Sequence, residues 1–135
     1  MDVSESNLTL ASAEGFVQLG LFQDGWDELE RLDPEARSTP PVLRLRLRIY
    51  EGLKRWENVM DLGRSLLTKL PPDTVPARAM GLAAFRAELH YRVACAECQL
   101  RAVAAAKASL ALAFKLNPGL RLAALDDPNL EAVWA

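Results

Sequence analysis

Apolar and polar residues recur at helical spacing along most of the chain. The pattern is clearest between residues 91 and 118, where large and small apolar side chains stand three or four positions apart on both sides of one short break. The positions concerned are Val93, Ala94, Leu100, Val103, Ala106, Leu110, Ala113 and Phe114. Small residues that face large ones let two helix backbones approach closely, so this stretch predicts two helices packed against each other.

The same spacing, together with helix stop signals, predicts the other helices. Gly20, Pro34 and Pro71 stand where the helical pattern ends, because glycine permits a left-handed turn and proline cannot continue a helix. The predicted helices cover residues 9–19, 22–33, 42–54, 56–70, 77–100 and 102–116. For the fifth of these, a break near Gly81 is the alternative to one long helix.

One segment carries conflicting signals. Leucine or isoleucine alternates strictly with arginine from Leu43 to Ile49, which is the pattern of a half-buried strand. Pro41 suits the first turn of a helix, however, and Leu43, Leu47 and Tyr50 keep the i, i+4, i+7 spacing of one helix face. These features, together with the repeat described next, favour a helix.

An internal repeat relates the predicted helices to one another. A shift of 34 residues pairs similar residue types in the first half of the chain: Ala13 with Leu47, Phe16 with Tyr50, Leu19 with Leu53, Phe22 with Trp56, Gly25 with Val59 and Leu32 with Leu66. From the second unit to the third the shift becomes 47 residues, as between Pro71 and Pro118. The repeat is therefore present but irregular.

This repeat resembles the tetratricopeptide repeat, a helix-turn-helix unit of about 34 residues. With Pro118 as the closing proline of that motif, Ala94, Ala106 and Ala113 stand at its three small-residue positions. The resemblance implies an all-α fold in which antiparallel helix pairs stack as a short right-handed solenoid. We expect a single domain over residues 1–135, with units at about 9–33, 41–71 and 76–118 and a cap at 119–135.

The segment after Pro118 resembles the short segment that follows the last repeat in some bacterial members of the family. A terminal repeat needs such a cap because its outer apolar face is otherwise open to water. The side chains expected to cover that face are Leu122, Leu125, Leu130, Val133 and Trp134.

Bulk composition narrows the classes of function. Half of the 135 residues are apolar, a quarter are charged, and the formal net charge is −2. This balance is typical of a folded globular protein and gives no overall attraction to nucleic acid. There is no apolar run of about 18 residues, and the first residues are acidic and polar. We therefore expect no membrane span, no secretory signal and a cytoplasmic location.

His90, Cys95 and Cys98 are the candidates for metal or redox chemistry. The two cysteines have C-x-x-C spacing and are the only ones in the chain, and His90 is its only histidine. A redox pair normally lies where a strand meets a helix N-terminus, whereas this pair is predicted in the middle of a helix. Three uneven ligands are also one short of a structural zinc site. We expect both cysteines to be packing residues, and we expect neither a metal nor a cofactor. The alternative is a small metal- or redox-responsive protein that uses His90, Cys95 and Cys98.

No sequence motif predicts catalysis. The chain has neither a nucleophile elbow nor a phosphate-binding glycine loop, and its acids are typical of solvated helix faces or helix caps. Asp126 and Asp127 precede Pro128, which is typical of a turn and helix cap rather than of a catalytic carboxylate pair. We expect a protein that is not an enzyme.

The family resemblance implies a binding surface, because the first helix of each tetratricopeptide pair lines the concave groove. The residues that this places in the groove are Arg44, Arg48 and Glu51 in the second unit and Tyr91, Cys95 and Gln99 in the third. Arginine binds a carboxylate through two parallel hydrogen bonds, and Arg44 and Arg48 stand one helical turn apart. We expect a protein-interaction or assembly scaffold whose partner is a peptide or helix with acidic groups, and neither nucleic acid nor membrane.

Two alternatives stay open for this surface. Residues 1–33 carry eight acidic groups and one arginine, whereas residues 34–69 carry eight basic and four acidic groups. Arg44 and Arg48 can therefore face the acidic segment instead, with Glu14 at the position that matches Arg48. The helix pairs can also associate with a second copy of the chain, since a short stack has two apolar ends.

Overall fold

The computed structural model describes residues 1–72 and 81–135, and every regular element in these two ranges is helical. The elements are α1 (Val3–Gln18), α2 (Phe22–Glu30), α3 (Pro34–Arg37), α4 (Pro40–Gly52), α5 (Trp56–Lys69), α6 (Leu82–Gln99), α7 (Val103–Leu116), α8 (Leu120–Leu125), a 3-10 helix (Pro128–Leu130) and α9 (Glu131–Trp134). The all-α prediction is confirmed. None of the described helices has both the length and the apolar character needed to cross a membrane.

The largest differences from the predicted helix boundaries are in two places. Helix α1 begins at Val3 rather than near residue 9, because the carboxylate of Asp2 accepts a hydrogen bond from the backbone amide of Glu5 at 2.8 Å and caps the helix. The single long helix predicted over 77–100 is wrong, because Gly81 has a left-handed backbone (φ 80°) and α6 starts after it. The predicted start of that helix lies in residues 73–80, outside the described residues.

One type of turn ends helices α1, α4 and α6. The residue after each helix cap has a left-handed backbone: Gly20 (φ 76°), Lys54 (φ 58°) and Arg101 (φ 67°). In each turn the next amide donates to the carbonyl five positions earlier, as from Leu21 to Phe16 at 2.9 Å. The three turns stand 34 and then 47 residues apart, the same two shifts that relate the units in the sequence.

The arginine-rich segment forms helix α4 and not a strand. Its buried residues include Val42, Leu45, Arg46 and Ile49, which stand three or four positions apart and form one stripe of a helix. The alternation of apolar and charged residues resembles a strand pattern because Arg46, which is charged, lies in the inward stripe of the helix.

The chain divides into two compact units, residues 1–55 and 56–135, and each is described by itself. The division falls between α4 and α5, so the predicted pairing of these two helices lies across it. The single-domain organisation stays a prediction.

In the first unit, helices α1, α2 and α4 pack on one another. Their core consists of Ala13, Val17, Leu29, Leu32, Val42, Leu45 and Ile49. A Cβ atom on Gly25 of α2 would lie 2.9 Å from Cγ2 of Val17 and 3.3 Å from the carbonyl oxygen of Ala13. The absence of a side chain at Gly25 therefore lets α2 approach α1 closely.

In the second unit, helix α6 packs against both α5 and α7. Ala94, Ala106 and Ala113 are fully buried, as the small-residue pattern predicts. Gly63 of α5 occupies a close-contact position, since a Cβ atom there would lie 2.6 Å from Cγ2 of Val93 on α6. This unit is therefore organised around α6.

The C-terminal segment follows the predicted packing only in part. Leu130 and Val133 join the core cluster that includes residues of α6 and α7. Leu122 and Leu125 are 76% and 61% exposed, so the prediction that they cover the last helix pair is wrong. The short helix α8 instead turns Ala124 inward, and Trp134 remains 47% exposed.

Candidate functional site

The predicted groove residues of α6 contact the C-terminal segment of the same chain. The hydroxyl of Tyr91 donates to Oδ2 of Asp127 at 2.8 Å, and Sγ of Cys95 lies 3.7 Å from the same oxygen. One turn further along, Nε2 of Gln99 donates to the backbone carbonyl of Asn129 at 2.9 Å. All three residues singled out in the third unit therefore lie against one short peptide segment, which includes a carboxylate.

Asp127 is held at both carboxylate oxygens. Its Oδ1 accepts a hydrogen bond from the backbone amide of Asn129 at 2.9 Å and so caps the 3-10 helix that starts at Pro128. This confirms the predicted turn and cap. The contact of Oδ2 with Tyr91 and Cys95 has no signal in the local sequence, because it joins residues more than 30 positions apart.

On α4, the predicted groove residues belong to the first unit. Arg44 and Arg48 are exposed and Glu51 is half-buried. Arg44 and Arg48 stand four positions apart on one helix, so their side chains leave the same side of α4. Two exposed arginine side chains therefore share one face of α4.

Arg46, which no sequence motif indicated as a functional residue, contacts the acidic segment of residues 1–33. Its Nη2 lies 2.8 Å from Oε1 of Glu30, and its guanidinium carbon lies 4.2 Å from the centroid of the Trp26 ring. Arg37 lies 3.3 Å from the other carboxylate oxygen of Glu30. The spacing of Arg46 from Val42 and Ile49 could have identified it as an inward residue, because these positions share one helix stripe.

The candidate metal residues do not form a ligand cluster. Cys95 and Cys98 are buried thiols that form no disulfide, and His90 is half-buried. Burial lowers the pKa of His90 from its ordinary value of 6.5, Arg86 lowers it further, and Glu97 acts in the opposite direction. Within residues 1–72 and 81–135, no three histidine, cysteine or acidic side chains converge as metal ligands.

Glu97 is a second charged residue whose role the sequence did not reveal. It is only 3% exposed, its Oε2 lies 3.1 Å from Nη2 of Arg64, and its Oε1 accepts a hydrogen bond from the hydroxyl of Ser109. The contacts join α5, α6 and α7, so Glu97 links the three long helices of the second unit. The expectation that acidic residues lie on solvated helix faces is therefore wrong for Glu97.

Comparison of the chain with protein-family models, curated proteins and solved structures finds no match. The function must therefore be inferred from the residues and geometry described above.

Proposed function

We propose that this protein is a non-enzymatic interaction module, built from tetratricopeptide-like helix pairs in a short solenoid with a C-terminal cap. Its partner is a peptide segment of another protein, and a carboxylate of that segment is bound by Arg44 and Arg48 on α4. In this proposal α4 is the ligand-binding helix, and Glu51 lies at the edge of the same binding surface.

The observation that carries this proposal is the contact between α6 and residues 127–129. Two hydrogen-bond donors one turn apart, Tyr91 and Cys95, meet a single carboxylate oxygen of Asp127. Gln99 meets a main-chain carbonyl, a group that every peptide offers. This side of α6 therefore provides an example, within the chain, of a helix face that binds a peptide.

The 47-residue shift of the repeat makes α4 the counterpart of α6. Arg44 and Arg48 stand 47 residues before Tyr91 and Cys95, the shift that also separates the left-handed turns at Lys54 and Arg101. Arginine, tyrosine and the thiol all donate hydrogen bonds, and arginine has the strongest charge complementarity with a carboxylate. We infer that Arg44 and Arg48 approach one carboxylate in the manner of the α6 pair.

The charge distribution of the first unit supports an external carboxylate. Glu30 of the acidic segment is already in contact with Arg46 and Arg37. Glu14, the alternative partner considered from the sequence, is exposed. The contact of Glu30 with α4 is made through Arg46.

Selection from a random peptide library displayed on phage tests this function. We expect the wild-type protein to enrich a set of peptides rich in aspartate and glutamate, and the Arg44→Glu/Arg48→Glu variant to lose some members of that set. The physical reason is that each reversal replaces a donor with a group that repels a carboxylate.

The matched control is Arg55→Glu/Lys69→Glu, which changes the net charge equally at two exposed positions. It should enrich the same peptides as the wild type. Identical peptide sets from the wild type and the Arg44→Glu/Arg48→Glu variant, with both proteins folded, would show that α4 is not the binding helix.

A further inference from the structure

A second candidate binding surface lies in the second unit. A pocket of about 470 Å³ is bounded by one stripe of α7 and by the C-terminal helices α8 and α9. Its lining residues are Lys107, Leu110, Ala111, Phe114, Lys115, Arg121, Val133 and Trp134. We refer to it as the α7 pocket.

The α7 pocket has an apolar floor and a cationic rim. Leu110 and Val133 are buried at its base, and Phe114 is half-buried. Lys107 and Lys115 are exposed and stand eight positions apart on α7, which is about 12 Å along the helix. The lining includes three cationic residues and no carboxylate.

The third cation is positioned by an aromatic ring of the pocket. The guanidinium carbon of Arg121 lies 5.7 Å from the centroid of the Phe114 ring, within the range of a cation–π contact. Nε1 of Trp134, another lining residue, donates to the carbonyl of Ala124 at 3.3 Å, which orients the indole. Two aromatic side chains with fixed neighbours thus border the apolar floor.

The shape of the pocket favours a peptide over a small molecule that needs enclosure. Small-molecule sites usually bury most of the surface of their ligand. Here the rim residues Lys107, Lys115, Arg121 and Trp134 are all exposed, so the pocket is open on one side. A peptide can insert one or two apolar side chains while its backbone stays in solvent.

From these observations we propose that the α7 pocket binds an acidic peptide segment of another protein. The segment places large apolar side chains on Leu110, Phe114 and Trp134, and carboxylates on either side of them meet Lys107 and Lys115. This site uses none of the residues of the α4 surface and goes beyond the function proposed for it.

The indole N–H of Trp134 is a local reporter for this site. A suitable probe is a synthetic peptide with the central sequence Glu-Glu-Leu-Phe-Glu-Glu, titrated into ¹⁵N-labelled full-length protein while proton–nitrogen spectra are recorded. The chain has three tryptophans, so the Trp134 signal is assigned from its loss in Trp134→Phe. We expect this signal to shift in a saturable manner.

Lys107→Glu/Lys115→Glu should weaken the affinity derived from that signal by at least about ten-fold. A peptide with glutamine in place of glutamate, and one with alanine in place of the leucine and phenylalanine, should also bind more weakly. Arg55→Glu/Lys69→Glu is the charge-matched control, and Arg44→Glu/Arg48→Glu should leave the Trp134 shift intact.

Three outcomes would overturn the α7 proposal. The first is a Trp134 signal that does not move although the peptide binds elsewhere, a result that leaves the α4 proposal untouched. The second is equal binding of the glutamate and glutamine peptides. The third is a Trp134 shift that appears on raising the protein concentration alone and disappears in Lys107→Glu/Lys115→Glu, since it would identify a second copy of the chain as the occupant.

Discussion

The three arginines of α4 have different surroundings although they alternate in one short run. Arg46 packs on Trp26 and contacts Glu30, whereas Arg44 and Arg48 are exposed. A buried arginine contributes through its packed stem and ring contact as well as its charge, and an exposed one contributes little to folding. We therefore assign Arg46 to the stability of the fold, whereas Arg44 and Arg48 are the residues that we propose for binding.

We predict that Arg46→Ala lowers the free energy of unfolding by about 1–2 kcal/mol, because it removes both the ring contact and the Glu30 contact. Arg48→Ala, on the same helix, should change it by no more than about 0.5 kcal/mol. Urea unfolding of the two variants beside the wild type measures the difference. Equal effects of the two substitutions would contradict the inward position of Arg46.

The left-handed turns provide another residue-scale test. Arg101 is exposed and has φ 67°, a backbone conformation that costs an ordinary residue more than glycine. We expect Arg101→Gly to raise the free energy of unfolding by up to about 1 kcal/mol, and Gly20→Ala to lower it by about 1 kcal/mol. Thermal melts check both signs. A lower melting temperature for Arg101→Gly would mean that its side chain matters more than its backbone.

At the scale of the element, helix α6 has two kinds of contact on different sides. Toward α5 and α7 it offers buried residues such as Val93 and Ala94, and toward the C-terminal segment it offers hydrogen-bonding residues such as Tyr91 and Gln99. The first kind stabilises the helix packing of the second unit, and the second kind contacts the C-terminal segment of the same chain.

The close approach of α5 to α6 can be tested by adding one methyl group. Gly63→Ala places a Cβ atom 2.6 Å from Cγ2 of Val93, so it should destabilise the protein by about 1–3 kcal/mol. Gly15→Ala is the matched control, because a Cβ atom at Gly15 has no neighbour within 4 Å in the described structure. It should instead stabilise α1 by about 0.5–1 kcal/mol. Denaturant unfolding that gives both substitutions the same sign would contradict the packing.

The elements were largely predictable from the sequence, because apolar spacing and glycine or proline stops act locally. The spacing of the repeat even resolved the strand-like run at 43–49, which is helical. The contacts of Asp127 and Glu97 were not predictable, because each depends on which helices meet in space. The prediction that Leu122 and Leu125 cover the last helix pair rests on their hydrophobicity, which does not fix the direction in which a short helix turns them.

At the scale of the whole molecule, the repeat recurs in both units as a backbone feature, through the turns at Gly20, Lys54 and Arg101. Of the candidate site, the sequence correctly indicated that Arg44 and Arg48 share a helix face and that Tyr91, Cys95 and Gln99 share another. It did not indicate that the chain's own C-terminal segment lies against the second face.

His90 should make the stability of the whole molecule depend on pH. Burial and the charge of Arg86 lower its pKa in the folded state, while Glu97 opposes this shift. Below the ordinary pKa of 6.5 the unfolded chain takes up this proton more readily, so the free energy of unfolding should fall as the pH is lowered through that value. Urea unfolding across this range should show the fall, and His90→Gln should reduce it. An unchanged pH dependence in His90→Gln would contradict the lowered pKa.

The central claim is that Arg44 and Arg48 bind a carboxylate of a partner peptide, and a charge exchange tests it most directly. Calorimetric titration would compare a peptide selected by the wild-type protein with its counterpart carrying lysine in place of the critical acid. We predict that Arg44→Glu/Arg48→Glu loses at least about ten-fold in affinity for the acidic peptide and regains affinity for the lysine peptide. Equal affinity of the wild type and the variant for the acidic peptide, or no recovery with the lysine peptide, would contradict the claim.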